Sequence, residues 1–438
     1  MRRPSLTLVP LGVLAAASVS WGVGSSGFSS QLLSAKALGQ GNAFVAQADD
    51  PSSVYFNPAG MNQLEGTQFS FGAVGLLPKT DRRGAGVADD AMKRQASAIP
   101  NFYVTHRFDS GPKKWATGLG LTSPFGLTTE WAPTSSLRYV TTKTSFEMLS
   151  INPSVAMEVT PEWSIGVGAD YVHILNTVAQ NQINQAAANA DASADGTAKS
   201  SGHGHGWGYN GAVLYKPSTQ HSFAVTYRSQ VKIPIKGDVE LSGLSLSSQS
   251  NYNFLGDSYK TDATSSVILP ASMMAGYAFR WNSAWTFLAD YEWTGWNSFQ
   301  SQDISIEETD PFRRSFITGN PASNTTQIPR HWKNASAIAV GANYMANEAW
   351  QYRAGYSFFQ KSSPNDTFSP DIPDSSIHLL AIGFSRTWRA VVVDFAFNEY
   401  IYARRSVNNT VGNSVGASIN GDYTTFAPAL ALNVTYRI

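Results

Sequence analysis

Two clusters in this chain hold residue types that could do chemistry, and both are incomplete. His203-Gly204-His205 places two imidazoles at i and i+2 ahead of Trp207, a spacing that can share a metal ion. No third ligand of a suitable type lies nearby in sequence, so the pair reads as part of an ordinary polar loop. Gly256-Asp257-Ser258 matches the opening of some esterase motifs, but it lies deep in a long loop and no Asp-x-x-His follows it. The chain has no cysteine, which removes disulfide frameworks, thiol catalysis and thiolate metal sites. Lys+Arg and Asp+Glu are both 31, so the net charge is +0 and there is no basic stripe for nucleic acid. These features argue against an enzyme, a cofactor, a metal centre and a nucleic-acid partner. What remains is the chemistry of holding and passing something, and that depends on the elements around it.

Those elements are legible as segments that alternate apolar and polar residues at period two. They start near residues 67, 98, 115, 146, 162, 206, 220, 271, 284, 335, 349, 376, 388 and 426, which makes fourteen. The gaps between them alternate long and short. Residues 124–145, 176–205, 229–270 and 297–334 are long gaps, whereas 160–161, 217–219, 281–283 and 346–348 are short. An even number of strands, long loops on one side and tight turns on the other define a transmembrane antiparallel β-barrel of the outer-membrane type. The faces agree. Segment 284–296 sets Trp285, Phe287, Ala289, Tyr291 and Trp293 against Thr286, Leu288, Asp290, Glu292 and Thr294. Segments 349–359 and 162–175 sort in the same way, with aromatics toward the ends of the apolar face. That is the pattern of two aromatic girdles around a lipid-facing band. A large soluble all-β protein would also alternate, but it has no reason to sort its loops by side. Mean hydropathy is −0.19 and no segment approaches 18 continuous apolar residues, so no transmembrane helix is expected.

The first 24 residues have the form of a secretory signal. Arg2 and Arg3 precede the apolar run Leu6 to Val19, and small residues follow, with cleavage expected between 20 and 26. Residues 25–66 do not alternate. Asp50 can cap a helix whose first residue is Pro51, and Asn57-Pro58-Ala59-Gly60 should stop it. Gly39, Gly41 and their small neighbours permit close packing inside something. A compact plug ahead of a barrel spanning 67–438 is the domain organisation these features imply.

This segment resembles the N-terminal hatch of the FadL/TodX family of outer-membrane transporters for long-chain fatty acids and hydrocarbons. The matching residues are Gly27-Phe28, Leu38-Gly39 to Ala43, Ala48-Asp49-Asp50-Pro51 and Asn57-Pro58-Ala59-Gly60-Met61. A second match runs from Thr122-Ser123-Pro124-Phe125-Gly126-Leu127 to Trp131 and resembles the family's third strand and following loop. The resemblance implies a barrel blocked by its hatch. A hydrophobic molecule is captured by an apolar groove in the extracellular loops, passes to a tighter site beside the chain's N-terminus, and leaves sideways through the wall near strand three. It implies no cofactor, a location in the bacterial outer membrane, and contact with outer-membrane lipid, lipopolysaccharide and the barrel assembly machinery. A monomer is expected.

The residues themselves support a weak wall. Pro124 cannot donate to a ladder, Gly126 weakens pairing, and Pro153 sits in the neighbouring strand. The blander reading is that Pro124 simply ends the strand. Among the loops, 229–270 is the greasiest, with Leu241, Leu244, Leu246, Phe254 and Leu255 as candidates for a capture groove or for packing between loops. Loop 176–205 is polar, and Asn181 to Ala194 could hold a short helix. Bases are scarce on the lumen face: Arg353 and Arg228 are candidates for meeting a carboxylate, with Arg107 weaker. Between Trp163 and Ala198 there is no Lys or Arg. A buried, unpaired carboxylate is costly, so this scarcity raises a neutral hydrocarbon beside a fatty acid as the cargo. Arg353 could instead pair with Asp290, Glu292 or Asp170 across the lumen. The chain ends at Ile438, with Tyr436 two before it, where barrels of this class usually end in an aromatic. The rivals to passive transport of hydrophobic compounds are an open diffusion porin, which a hatch argues against, and a lipase, for which no Ser/His/Asp grouping exists.

Overall fold

Period-two patterning becomes fourteen antiparallel strands in the computed structural model, which describes residues 26–110, 113–185, 195–245 and 252–438. The spanning strands are Thr67–Leu76, Ser97–Ser110, Lys113–Thr122, Lys143–Glu158, Trp163–Ile183, Gly196–Tyr215 and His221–Arg228, followed by Ser272–Arg280, Trp285–Thr294, Ala335–Asn347, Trp350–Phe359, Ile377–Trp388, Val391–Tyr402 and Gly421–Arg437. The first strand pairs with the last, Phe71 opposite Val434, and Ile438 N donates to Thr67 O at 2.8 Å. The barrel is therefore closed between its first and last strands, which removes the edges an open sheet would leave there. The secretory signal expected at 1–24 lies outside the described residues, apart from which the chain enters the description at Ser26.

Among the described residues, the tight turns lie at the end of the barrel where the first strand begins. Side-chain acceptors explain how they turn so sharply. Asn282 Oδ1 accepts from Ala284 N and Trp285 N at 2.9 and 2.8 Å, and Asn347 Oδ1 accepts from Ala349 N and Trp350 N at 3.0 Å each. On the outer surface, Trp163 stacks on Tyr215 at 4.2 Å near this end, whereas Tyr171 and Trp207 meet at 4.8 Å near the other. Between them the outward row is apolar and exposed, as at Ile165, Val167 and Val213. Inward residues of the same strands, such as Asp170 and Val172, are buried.

The long connections differ from the expected loops. The fifth strand runs on to Ile183 and the sixth begins at Gly196, so His203 and His205 lie in a strand, not a loop. Most of the expected polar helix at 181–194 lies outside the described residues, and Asn181 to Ile183 are strand. Residues 229–270 fold largely into a hairpin, Val231–Ser242 against Ser258–Leu269, which carries the barrel wall upward beside the sixth strand, Lys236 opposite His203. Short strands Ser301–Ile306 and Thr325–Pro329 extend it, and the helix Pro311–Thr318 sits between them.

Residues 26–64 lie inside the lumen. Wall side chains bind their backbone: Asp290 Oδ2 accepts from Phe44 N at 2.7 Å and Val45 N at 2.9 Å, Asn433 Oδ1 accepts from Ala35 N at 2.9 Å, and Asn398 Nδ2 donates to Leu38 O at 3.0 Å. Wall glycines make the close fit possible. A Cβ at Gly355 would stand 2.2 Å from the Gln40 carbonyl carbon, and one at Gly166 would stand 2.4 Å from Ala59 N. The expected helix begins later than Pro51. Asp50 Oδ1 accepts from Ser52 N at 2.8 Å, and the helix itself is Ser53–Phe56. Asn57 then caps a 3₁₀ turn, accepting from Ala59 N at 3.1 Å and donating to Val45 O at 2.8 Å. Gly60 is needed because a Cβ there would meet Ala48 Cβ at 2.5 Å.

Candidate functional site

The third strand stops at Thr122 and resumes as Leu127–Glu130. Its pairing with the fourth strand passes from Thr122 opposite Ser150 to Leu127 opposite Phe146, so five steps on one side match four on the other. This is the extra residue of a bulge. On its other side, pairing with the second strand ends at Leu121 opposite Phe102. Ser97 to Asn101 continue beyond that point but pair only with the first strand. A gap in the ladder therefore opens in the wall above Leu121.

The chain's own N-terminal segment fills the break from inside. Ser30 N donates to Pro124 O at 2.8 Å, and Gly126 N donates to Phe28 O at 3.0 Å. Ser29 bridges Phe125 between them. Pro124 thus accepts without needing to donate, and Gly126 spends its N–H on the segment rather than the barrel. Ser123 is buried at the same break. Pro153 leaves its own mark next door, where pairing with the fifth strand is interrupted between Ile151 and Ser154 without a change of register, and Asn152 Nδ2 donates to Ala169 O at 2.8 Å instead.

Phe28 projects into an aromatic box. Its ring centroid lies 4.8 Å from Trp296, 5.4 Å from Phe146, 5.6 Å from Phe299, 5.8 Å from Trp332 and 6.0 Å from Phe125. Gly27 turns the chain with φ +59°, and a Cβ there would stand 2.3 Å from the Trp332 ring. Gly27 N is held by Asp374 Oδ1 at 3.1 Å. The box continues upward through Val231, Ile233, Ile235, Val267 and Leu269. Trp296, Phe299 and Trp332 are not legible as site residues, since Trp296 only closes the alternating segment 284–296 and Phe299 and Trp332 are isolated aromatics in the long gap 297–334, without periodicity. The nearest sequence signal was Gly295-Trp296, a turn followed by a large apolar residue.

The two candidate head-group bases are both paired, and neither lines this box. Arg353 Nη1 lies 3.0 Å from Asp394 Oδ1, with both side chains almost fully buried, and it also donates to Ser385 and to Gln351 Oε1. It borders a cavity of about 240 Å³ at the tight-turn end, next to Lys36, Asp49 and Asp50 of the N-terminal segment. Its partner is thus Asp394, not Asp290, Glu292 or Asp170. Arg228 pairs with Asp170, donates to Tyr55 O at 3.0 Å and stacks over the Tyr55 ring at 4.2 Å. Arg107 sits at the rim beside Glu65 at 3.7 Å. Beside Gln31 of the N-terminal segment the wall offers an acid: Glu292 accepts from Gln31 Nε2. In the extracellular part, Arg330 grips Asp371 with two bonds, at 3.1 and 2.6 Å. Burial alone would raise the Asp371 carboxyl, but the adjacent guanidinium outweighs it and holds that carboxyl below the usual carboxylate range.

The loop candidates separate into two roles. Leu241, Leu244 and Leu255 are buried among themselves with Val239 and Ile306. Phe254 is half-buried and packs on Phe312 and Phe316 of the helix Pro311–Thr318 at 4.7 and 4.8 Å. Phe312 is 57% exposed, so this face leaves apolar surface in water. Leu246 lies outside the described residues. Of the N-terminal candidates, Asp49 pairs with Lys36 at 2.8 Å, and Pro58 and Ala59 press on Gly166. Among the described residues, no three metal-ligating side chains converge.

A closed barrel with paired aromatic girdles, long loops at one end and its own N-terminal segment in its lumen is an outer-membrane transport barrel. The chain belongs to the family described as outer membrane protein transport protein (OMPP1/FadL/TodX), whose sequence pattern it matches over residues 16–438. It is similar to the long-chain fatty acid transport protein of Escherichia coli K12, at 26% identity over 92% of this chain and 91% of that protein. It is also similar to outer membrane protein P1 of Haemophilus influenzae, at 23% identity over the whole of both. In fold it is similar to a Pseudomonas aeruginosa FadL homologue, with a TM-score of 0.81 and 17% identity over 94% of this chain and 100% of that one. The Ralstonia pickettii toluene transporter TbuX follows with a TM-score of 0.68 and 16% identity over 93% and 98%. The protein resides in the bacterial outer membrane.

Proposed function

We propose that this protein passes hydrophobic compounds across the outer membrane without an energy source, long-chain fatty acids first. The observation that carries the reading is that one short segment, Phe28 to Ser30, both fills the aromatic box and pairs with the break in strand three. Cargo is captured on the aromatic face of the outer loops around Phe254 and Phe312. It enters the box by displacing the Phe28 ring. Displacement removes the two backbone bonds to Pro124 and Gly126, and the cargo leaves through the gap between the second and third strands. Exit into lipid suits a greasy molecule, because it keeps apolar contact throughout. The segment 26–64 acts as the hatch that keeps the lumen closed to polar solutes, against the porin reading. One chain contains every part of this path, so a single copy suffices.

A neutral hydrocarbon is the second reading, and one feature favours it. Arg353 and Arg228 are already committed to Asp394 and Asp170, and the acid Glu292 stands beside the N-terminal segment. An acidic cargo would have to break an existing pair or bind protonated.

The absence of cysteine makes a clean test available. Ser29 and Phe125 form an antiparallel bridge, a separation that a disulfide can span. A Ser29→Cys/Phe125→Cys protein should lose oleate uptake when oxidised and regain it on reduction. Uptake that is equal in both states would overturn the proposed path.

A further inference from the structure

The outward face of the sixth strand carries a group of residues that the fold does not require. From Gly202 to Tyr209 the chain alternates glycine with large side chains: His203, His205, Trp207 and Tyr209 point outward, and Gly202, Gly204, Gly206 and Gly208 point inward. The inward side is roofed by the neighbouring hairpin, with Ile235 against Gly202 and Ile233 against Gly206. The histidines therefore serve neither the lumen nor the core. His205 stands opposite His173 of the fifth strand, and His203 stands opposite Lys236 of the hairpin. Lys232 is exposed on the same outward row as Lys236, and its backbone carbonyl lies against Gly206, which sets it on the strand beside His205 and Trp207. Lys232, Lys236, His203 and His205 are all exposed.

Their height on the barrel is fixed by the girdles. Tyr215 and Trp163 mark the lower one, and Tyr171 with Trp207 marks the upper one, 4.8 Å apart. Tyr215 to Trp207 is roughly 26 Å of strand, which a tilt near 40° shortens to about 20 Å, comparable to an outer-membrane apolar band. His205, His203, Lys232 and Lys236 begin where that band ends, on the side of the long loops. That is head-group depth in the outer leaflet.

The charge pattern is local. Neither Lys232 nor Lys236 has a carboxylate partner among the described residues, whereas Lys260, farther from the membrane, pairs with Asp238 at 3.5 Å. Asp238, Glu240 and Asp262 also lie farther out on the hairpin, where Asp238 accepts from Ser201 and Glu240 stands opposite Lys199. On the other flank the nearest acid is Glu147, beside the bulge at Asn176. A belt of two unpaired ammoniums and three imidazoles thus lies directly above an aromatic ledge; Asp303 stands level with it on the strand beyond the hairpin, across Ser266 from Pro234, and Asp238, Glu240 and Asp262 lie farther out. Ammoniums bind phosphate as point charges, and an imidazole N–H donates a hydrogen bond in either protonation state. Juxtamembrane basic clusters bind anionic lipid heads by the same chemistry.

We propose that this belt docks the phosphorylated head group of the outer-leaflet glycolipid, lipopolysaccharide, with its sugars over Trp207 and its phosphates between Lys232, Lys236, His203 and His205. The site is on the outer wall, apart from the cargo path.

Native mass spectrometry of the purified full chain tests it, with bisphosphorylated lipid A as the probe and monophosphoryl lipid A and phosphatidylglycerol as competitors. The wild-type protein should retain bisphosphorylated lipid A in preference to both. Lys232→Gln/Lys236→Gln and the fourfold variant that adds His203→Gln/His205→Gln should each lose retention by at least about tenfold, because charged hydrogen bonds are removed. Lys79→Gln/Lys93→Gln should retain it, since those ammoniums already pair with Asp81 and Glu130. If the fourfold variant does not assemble, the double variant alone decides. Equal retention by the double variant and the wild-type protein would overturn the site. Equal displacement by phosphatidylglycerol would overturn the glycolipid as its occupant. No cargo is present in the measurement, so its outcome is independent of the transport reading.

Discussion

Ser30 donates its backbone N–H to the Pro124 carbonyl at 2.8 Å, so the residue that cannot complete the barrel ladder is partnered by the N-terminal segment inside the lumen. A proline in a closed wall would ordinarily leave its neighbours facing lipid with unpaired groups, which is costly. Here the N-terminal segment supplies the partner that the broken strand lacks. The same three residues present Phe28 to the aromatic box, so one stretch of chain fills both the box and the break in the wall.

On the proposed path Phe28 stands where cargo would stand. Phe28→Ala should empty the box and raise the affinity for an uncharged fluorescence quencher of the Trp296–Trp332 pair by about tenfold, because the internal competitor is gone. Tryptophan emission titrated with a brominated alkane measures it. A tenfold loss of affinity would instead place Phe28 in the wall of the site.

Replacing Pro124 and Gly126 together with Thr should restore strand pairing at the break, since β-branched residues favour extended pairing. Uptake of labelled oleate by cells should fall severalfold, while binding to the purified protein survives. Unchanged uptake would send the cargo down the lumen past a displaced hatch.

The barrel was readable because its faces repeat at a fixed period. The segments begun near 284, 349 and 376 became strands starting at Trp285, Trp350 and Ile377. The sixth strand was read as starting near 206 but begins at Gly196, because Ser200 to His205 is polar or glycine on both faces and shows no alternation of hydrophobicity. The hairpin in 229–270 was hidden by Pro234 and Gly237, which look like loop residues. Pro234 is tolerated on its exposed, outward side, and Gly237 lets Ser201 O approach. The break at Pro124 and Gly126 was legible from backbone chemistry alone. What fills it was not, since Phe28 and Phe125 are brought together by the closure of the whole barrel. The partner of Arg353 was hidden for the same reason. Asp394 lies two strands away, reached across Gly383, and no local pattern announces which inward carboxylate a base will find.

That pairing changes what Arg353 is expected to do. Arg353→Ala should leave Asp394 buried and unpaired, a loss of about 3–5 kcal/mol, visible as a lower temperature for loss of the heat-shifted barrel band on electrophoresis. Arg353→Met/Asp394→Leu should recover most of it. Oleate affinity should stay within about twofold of the wild-type value in the double variant, given that the pair lies at the tight-turn end, far from the aromatic box. A specific loss of oleate affinity with no loss of stability would restore Arg353 as a head-group residue.

The Arg330–Asp371 clamp gives the outer loops a pH dependence with a definite sign. Arg330 also lies 6.0 Å from the Phe299 ring, so the clamp braces one wall of the box. The folded Asp371 carboxyl titrates below the usual carboxylate range. Its stabilising contribution is then complete above the unfolded value near ~3.9 and is lost as pH falls through the lower folded value. A buried charged pair of this kind contributes on the order of 1.5–3 kcal/mol. Pepsin cleavage within 297–334 and 360–376 should therefore stay low at about pH 4 and rise below it. Asp371→Asn should be cleaved readily across that whole range with no such rise. With every rate normalised to pepsin cleavage of an unfolded substrate at the same pH, wild-type cleavage that matches the Asp371→Asn protein throughout would remove this clamp as the brace.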